Sequence, residues 1–152
     1  MGPTPSSASA LIPASASELY AILADYREGH PRILPGPPFT TLQVEEGGIG
    51  DGTAIRVGTK ILGREQVFRA VITEPEPGRV LTEANEDGYE TTFTVEPSED
   101  GRHTRVTIAT VSSRAEGQGR RVRLEEWLVH RLLTPVYRKE LQLLAKVAAE
   151  RS

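Results

Sequence analysis

The chain has 152 residues, a length that fits one domain and buries roughly 70% of the surface of the unfolded chain. Its formal net charge of -3 argues against a general nucleic-acid binder, so we expect no nucleic acid among its partners. It contains no cysteine, which excludes disulfides, thiolate chemistry and cysteine-ligated metals and suits a cytoplasmic protein.

The first residues carry no targeting signal that we recognise. Residues 1–7 are rich in proline and serine, and we expect a disordered tail there. A basic start and an apolar core are missing, and no window reaches the ~20 apolar residues of a bilayer span, so stable membrane insertion is not expected. Residues 8–150 are predicted to form a single domain.

A first strand and two short helices open this domain. The strand is predicted over 8–14, with Leu11 as its core residue. Ser15 or Ser17 can cap a helix of about two turns whose apolar residues share one face. The proline-rich loop that follows can hold one further helical turn around 32–34.

From Phe39 onwards the apolar pattern changes to the alternation of strands. Six strand-like segments are separated by turn signals: 39–45, 53–62, 64–73, 79–85, 89–96 and 104–113. Hairpin-type turns at this spacing predict an antiparallel meander. The glycine cluster at 47–52 lies between strands and lacks the order of a phosphate loop, so we interpret it as a hairpin turn.

A long helix is predicted over 120–150, where apolar residues recur at the i, i+3, i+4, i+7 spacing of one helical face. Such a helix beside one antiparallel sheet must bury its apolar stripe against the sheet. The predicted fold class is therefore α+β: a curved antiparallel sheet of about seven strands wrapped around a long C-terminal helix, with two short helices after the first strand.

This order of elements resembles the helix-grip fold of the superfamily of START lipid-transfer domains, pollen-allergen-like carriers and polyketide cyclase/dehydrase proteins (SRPBCC). The resemblance spans about 8–149 and is carried by four segments: 12–25, 30–35, 74–81 and 135–144. It implies a ligand pocket between the sheet and the C-terminal helix.

Strand alternation and the apolar helix face indicate most of the side chains that line such a pocket, and His30, Arg56, Glu83 and Tyr89 are the polar groups expected to orient a ligand there. The predicted ligand-binding residues are His30, Ile55, Arg56, Val57, Thr59, Glu83, Tyr89, Thr91, Phe93, Ile108, Val129, Leu132, Leu133 and Val136. A solid core would use many of the same residues, so the cavity volume must separate the two possibilities. The histidines lack metal-ligand spacing, and neither a metal nor a cofactor is expected.

Three residues are candidates for acid–base catalysis: Tyr89, Glu126 and Glu140. Helical geometry projects Glu140 onto the apolar stripe, where burial could raise its pKa. The interpretation we favour is that Pro135 shifts the helix register and returns Glu140 to solvent or to a surface salt bridge, because glutamate is almost never buried unpaired.

Two further features lie near the start of the long helix. Trp127, with Leu124 and Leu128, forms an apolar group that could line the pocket entrance or a dimer surface, and a monomer or a homodimer fits equally. A cluster of four arginines could receive an anionic group or could simply be solvated: Arg114, Arg120, Arg121 and Arg123.

Three functions follow as hypotheses. The preferred one is binding or transport of a hydrophobic small molecule, such as a lipid, polyketide or isoprenoid. The alternative is a polyketide cyclase/dehydrase-like enzyme with an acid–base group in the pocket, which rests on the resemblance because no sequence motif fixes a reaction. The third is a non-catalytic protein-interaction module built on Trp127 and the arginine cluster.

Overall fold

The computed structural model describes residues 6–112 and 119–151, and the side chains of 119–126 and of Val129 lie outside the description. Seven antiparallel strands form one sheet in the order β1-β7-β6-β5-β4-β3-β2. The strands are β1 (Ser6–Ile12), β2 (Phe39–Glu46), β3 (Ala54–Ile61), β4 (Arg64–Glu76), β5 (Val80–Asn85), β6 (Tyr89–Pro97) and β7 (Thr104–Ser112). Two α-helices and one turn of 3-10 helix accompany them: α1 (Ala16–Ala24), the 3-10 turn (His30–Ile33) and α2 (Gly119–Arg151). The predicted helix-grip architecture is confirmed.

Helix α1 begins where the sequence provides a cap. The Ser15 hydroxyl accepts a hydrogen bond from the Glu18 backbone N–H at 3.2 Å, which satisfies one of the unpaired amides of the first turn. The apolar side chains of α1 are buried because they face the sheet, among them Leu19, Ile22 and Leu23. The helix therefore closes one end of the barrel-like sheet.

The glycine-rich turn between β2 and β3 folds back onto the end of α1. The Tyr26 N–H donates to the Gly48 carbonyl at 2.8 Å, and the Gly50 N–H donates to the Ala24 carbonyl at 2.9 Å. Gly50 has a φ of +64°, and a Cβ atom at this position would overlap the Glu74 carboxylate. The positive φ favours glycine there, and a larger residue would also displace the Glu74 side chain.

Helix α2 runs through Pro135 without ending and packs on β1, on α1 and on the 3-10 turn. Its buried residues recur at helical spacing on one face: Tyr137, Glu140, Leu141, Leu144, Val147 and Ala148. The Arg32 guanidinium contacts the Glu150 carboxylate at 2.6 Å, which links the 3-10 turn to the last turns of α2.

Three local predictions need correction. Strand β1 starts at Ser6, so the ordered chain begins earlier than expected, and residues 1–5 lie outside the description. Ser6, Ala8 and Ile12 are the buried residues of this strand while Leu11 is 52% exposed, because alternating side chains face opposite sides. Strand β4 continues to Glu76, and a register shift after Thr73 accommodates Pro75.

No helix among the described residues combines the length and the apolar character that crossing a bilayer requires.

Candidate ligand cavity

A cavity of about 210 Å³, partly open to solvent, lies between the inner face of the sheet and α2. This volume is below the roughly 300–1,000 Å³ of typical ligand pockets, so it fits a small molecule or one end of a larger one. The described residues that line it are His30, Leu34, Pro38, Phe39, Leu42, Ile55, Val57, Thr59, Ile61, Gln66, Phe68, Ala70, Glu83, Asn85, Asp87, Tyr89, Thr91, Phe93, Thr110, Leu133, Tyr137 and Glu140.

One side of the cavity holds an organised carboxylate. The Tyr26 hydroxyl donates to Glu83 Oε2 at 2.5 Å, and His30 Nε2 lies 3.5 Å from the same oxygen. His30 Nδ1 is 2.7 Å from the Leu23 carbonyl, which can only accept, so this nitrogen carries the ring proton. The imidazole is stacked on Tyr26 and meets Phe93 edge-on. These contacts fix the position of the Glu83 carboxylate.

Glu140 enters the same space from α2. Its side chain is buried, with only 2% of the residue exposed, and it has no hydrogen-bond or ion-pair partner among the described residues. Burial raises the pKa of Glu140 well above its ordinary value, and the nearby Glu83 charge raises it further. Burial therefore favours the protonated form of Glu140, which can donate a hydrogen bond.

The expected return of Glu140 to solvent is wrong. Helix α2 keeps its register through Pro135, because Leu133 before the proline and Tyr137 and Glu140 after it all face the cavity. The Thr134 hydroxyl donates to the His130 carbonyl at 3.1 Å, next to the position where proline removes a helical hydrogen bond. The helical pattern was the better guide to this carboxylate than the general avoidance of buried charge.

A chain of hydroxyl groups lies beside Glu140. Thr91 Oγ1 and Thr110 Oγ1 are 2.7 Å apart, and the Tyr137 hydroxyl forms a hydrogen bond with Thr110. Burial raises the pKa of Tyr137 above its ordinary value, so the phenol stays protonated. These three groups satisfy one another and supply hydrogen-bonding positions, not a base at neutral pH.

Most of the predicted site residues meet at this cavity. The structure places ten of them in its lining: His30, Ile55, Val57, Thr59, Glu83, Tyr89, Thr91, Phe93, Leu133 and Glu140. The alternation of β3 and β6 and the face of α2 account for this agreement. Their position is a structural fact, whereas ligand binding by them belongs to the proposal below.

Four predicted residues do not line the cavity. Arg56 lies on the opposite face of β3 and donates to Glu45 at 3.2 Å, because its neighbours Ile55 and Val57 occupy the inner face. Ile108 is fully buried in the packed part of the core. Leu132 is 40% exposed, and Val136 packs against the core beside the cavity.

The remaining predictions on α2 are only partly covered. The side chains of Glu126, Val129 and Leu124, together with those of the arginines at 114, 120, 121 and 123, lie outside the described part of the chain. Trp127 and Leu128 are exposed, and the Arg131 guanidinium lies 5.1 Å from the Trp127 ring. Nothing in the described residues shows what this surface contacts.

Sequence reasoning missed Tyr26, which binds the Glu83 carboxylate without lining the cavity, and several lining residues, among them Tyr137. Tyr26 follows α1 in a loop, where no periodicity indicates which way a side chain points. Tyr137 belonged to the predicted apolar stripe of α2, so its inward position had a signal that we did not use. Among the described residues, no group of three or more His, Asp or Glu side chains is suited to hold a metal ion.

A curved antiparallel sheet closed by a long C-terminal helix over a cavity defines the helix-grip class. The family model described as polyketide cyclase / dehydrase and lipid transport matches residues 5–149, and the chain belongs to this family. No curated protein matches the chain.

Solved structures of the same class superpose over nearly the whole chain. The KanY protein is 23% identical, with 98% of this chain and 99% of that chain covered and a TM-score of 0.82. A START superfamily protein from Mycobacterium smegmatis is 16% identical, with 97% and 99% covered and a TM-score of 0.71. The Zhui aromatase/cyclase from a Streptomyces species is also 16% identical, with 97% and 94% covered and a TM-score of 0.70. At these identities the likeness shows the fold alone.

Proposed function

We propose that this protein binds a hydrophobic small molecule, of lipid, polyketide or isoprenoid type, in the cavity between the sheet and α2. The observation that carries the proposal is the division of the cavity into an apolar and a polar side. Strands β2, β3 and β4 contribute mainly apolar side chains, whereas Glu83, Thr91, Thr110, Tyr137 and Glu140 come from β5, β6, β7 and α2. An apolar wall with a few convergent polar groups is the usual composition of a small-molecule site.

The expected binding free energies give the apolar and the polar side of the cavity different roles. A ligand that buries roughly 200 Å² of apolar surface gains about 5 kcal/mol from transfer out of water. The loss of translational and rotational freedom offsets much of this gain. Affinity therefore depends on the apolar wall, and the choice among similar ligands depends on the polar groups.

Filling the cavity tests the proposal. Ala70 lies on β4, is buried and lines the cavity, while its neighbour Val71 is 39% exposed on the other face of the same strand. The neutral fluorescent probe N-phenyl-1-naphthylamine should bind the wild type saturably. Ala70→Phe should weaken this binding at least ~10-fold, because a phenyl ring occupies the same space. Val71→Phe adds the same ring on the solvent side and should leave the affinity unchanged.

Circular dichroism verifies that both variants are folded before titration. The proposal is contradicted if the wild type shows no saturable binding and native mass spectrometry of the freshly purified protein finds no bound molecule. Equal weakening by the two phenylalanine variants would also contradict it, since only one of them occupies the cavity.

A second candidate function is an enzyme of the cyclase/dehydrase type, favoured by the two carboxyl groups with different environments. Burial favours the protonated form of Glu140, while Glu83 accepts a hydrogen bond from the Tyr26 hydroxyl, a division that suits an acid and a base. In a dehydration, the carboxylate would take the proton next to a ketone while Glu140 gives its proton to the departing hydroxyl, which leaves as water.

Turnover of a β-hydroxyketone substrate tests this second function. Glu140→Gln should abolish turnover while the neutral probe still binds, because glutamine keeps the shape but has no acidic proton. Glu96→Gln removes an exposed carboxylate of β6 outside the cavity and serves as the matched control. Unchanged turnover in Glu140→Gln would exclude this residue as the acid.

A further inference from the structure

The charged groups around the cavity are almost all acidic. Among the described residues that line it, the carboxyl groups are Glu83, Asp87 and Glu140, while His30 is the single potential cation and no lysine or arginine is present. Two arginines of the neighbouring strands, Arg56 of β3 and Arg69 of β4, are bound to Glu45 on the other face of the sheet. Among the described lining residues, a ligand with a carboxylate or a phosphate at its buried end would meet no lysine or arginine.

Among the described residues, Glu140 is the buried carboxyl group of this lining that has no hydrogen-bond partner. Tyr26 and His30 are committed to Glu83 and to the Leu23 carbonyl, and the Tyr137 hydroxyl is bonded to Thr110. The Glu140 carboxyl is buried, faces the cavity and has no such partner among the described residues. A buried polar group without a partner costs roughly 1–3 kcal/mol, and a ligand that supplies the partner recovers this free energy.

We infer that the ligand is a hydrophobic amine whose ammonium group binds at Glu140, within reach of the field of Glu83. This inference rests on the proposed function and adds the chemistry of the ligand's buried end. An ammonium group donates three hydrogen bonds and carries the charge that the acidic lining lacks. A neutral alcohol gains only an ordinary hydrogen bond there, and an anion is repelled.

The inference predicts that binding of the amine releases a proton. The titratable groups that face Glu140 are Glu83 from β5, Tyr26 and His30 from the segment after α1, and Tyr137 from α2 itself. The pKa values of both tyrosines are raised, so neither releases a proton at neutral pH. When an ammonium group enters, the Glu140 acid loses its proton to solvent and becomes the paired carboxylate. One positive charge enters and one proton leaves.

Isothermal titration calorimetry at pH 7 with three matched ligands tests this. The ligands are 2-phenylethylamine, 2-phenylethanol and 3-phenylpropanoate, which present a similar apolar body with a cationic, neutral or anionic end. The wild type should bind the amine roughly 10-fold more tightly than the alcohol and the carboxylate most weakly. Titration in two buffers of different ionisation enthalpy should show net proton release with the amine and none with the alcohol.

Two variants test whether the preference for the amine and the release of the proton depend on Glu140. Glu140→Gln should bring the amine and alcohol affinities together and abolish proton release, whereas Glu96→Gln should retain both. If the alcohol binds as tightly as the amine, or if none of the three ligands binds while the neutral fluorescent probe does, the inference is overturned and the proposed function stands. A preference for the amine that persists in Glu140→Gln also overturns it. If the neutral probe also fails to bind, both the inference and the proposed function are contradicted.

Discussion

Two tyrosine–glutamate contacts flank the C-terminal end of α1, and they serve different purposes. The Tyr20 hydroxyl donates to Glu74 of β4 at 2.6 Å, and the Tyr26 hydroxyl donates to Glu83 of β5 at 2.5 Å. The other oxygen of Glu74 accepts from the Asp51 N–H at 2.7 Å, in the glycine-rich turn. Glu83 instead faces His30, Glu140 and the cavity.

The comparison shows that the role of a tyrosine–glutamate pair depends on which other groups surround the glutamate. Around Glu74 these are backbone groups of the protein, so the contact closes a turn. Around Glu83 they are titratable side chains and open space, so the same chemistry holds a carboxylate where a ligand can reach it. Burial raises the pKa of both tyrosines, and Glu74 and Glu83 respectively raise them further, which keeps both phenols as donors.

The largest expected effect comes from a substitution in the glycine-rich turn that contacts Glu74. Gly50→Ala should lower the free energy of unfolding by about 3 kcal/mol, because the φ of +64° disfavours alanine and the new Cβ displaces the Glu74 carboxylate from its hydrogen bonds with Tyr20 and Asp51. Gly52→Ala is the matched control, since Gly52 also has a positive φ but has open space around it, and it should cost about 1 kcal/mol. Urea unfolding measures both, and equal losses would show that the Glu74 contact is unimportant.

The next effect separates the two pairs directly. Tyr26→Phe should lower the free energy of unfolding by about 2 kcal/mol, because it removes a short hydrogen bond to a carboxylate from a fully buried tyrosine. Tyr20→Phe should cost about 1 kcal/mol, since Glu74 keeps its bond from the turn.

Ligand affinity sharpens this second comparison. Tyr26→Phe should weaken binding of the neutral probe or of the amine, whereas Tyr20→Phe should leave both unchanged, as fluorescence titration and calorimetry would record. A loss of affinity in Tyr20→Phe equal to that in Tyr26→Phe would mean that the two contacts do not differ in function.

The smallest effect concerns the second carboxyl group near Tyr26. Glu140→Gln should raise the free energy of unfolding at pH 7 by about 1 kcal/mol, because glutamine does not need to stay protonated in an apolar site. The pKa of Glu140 is raised in the folded state, so the wild type loses stability as the pH rises above the ordinary value of 4.5, and the loss is complete only above the folded pKa. The difference between the variant and the wild type should therefore be near zero at pH 4 and grow towards pH 8.

Denaturant unfolding of the two proteins over this pH range measures the difference and cancels the titration of all other groups. A constant difference across the range would contradict a buried, protonated Glu140. A wild type that becomes relatively more stable with rising pH would contradict it even more strongly, since that sign belongs to a carboxyl with a lowered pKa.

Local signals were sufficient for most of the fold. Alternation and turn residues located β2 to β7 within a few residues, and the Ser15 cap located α1. The main strand error was at β4, where the prolines were taken as the end of the strand. A proline can remain in a strand at a register shift, which depends on the partner strand and is invisible in the local sequence.

The site was harder to predict because its polar contacts join distant parts of the chain. Tyr26 meets Glu83 across 57 positions, and no local pattern indicates such a contact. Arg56 was a different kind of error, since strict alternation with Ile55 already placed it on the outer face. For Glu140, the helical pattern predicted burial correctly, and the expected cost of burial led us to the wrong conclusion.

Thermal stability and ligand selectivity favour different residues at position 140 of α2. A screen that rewards survival at high temperature alone should replace this glutamate early, by glutamine, leucine or methionine, because each removes an acid that the fold tolerates at a cost. The selected variants would be more thermally stable and would no longer distinguish an amine from an alcohol. Engineering of this scaffold as a sensor should therefore hold position 140 constant and seek stability on the outer face of the sheet.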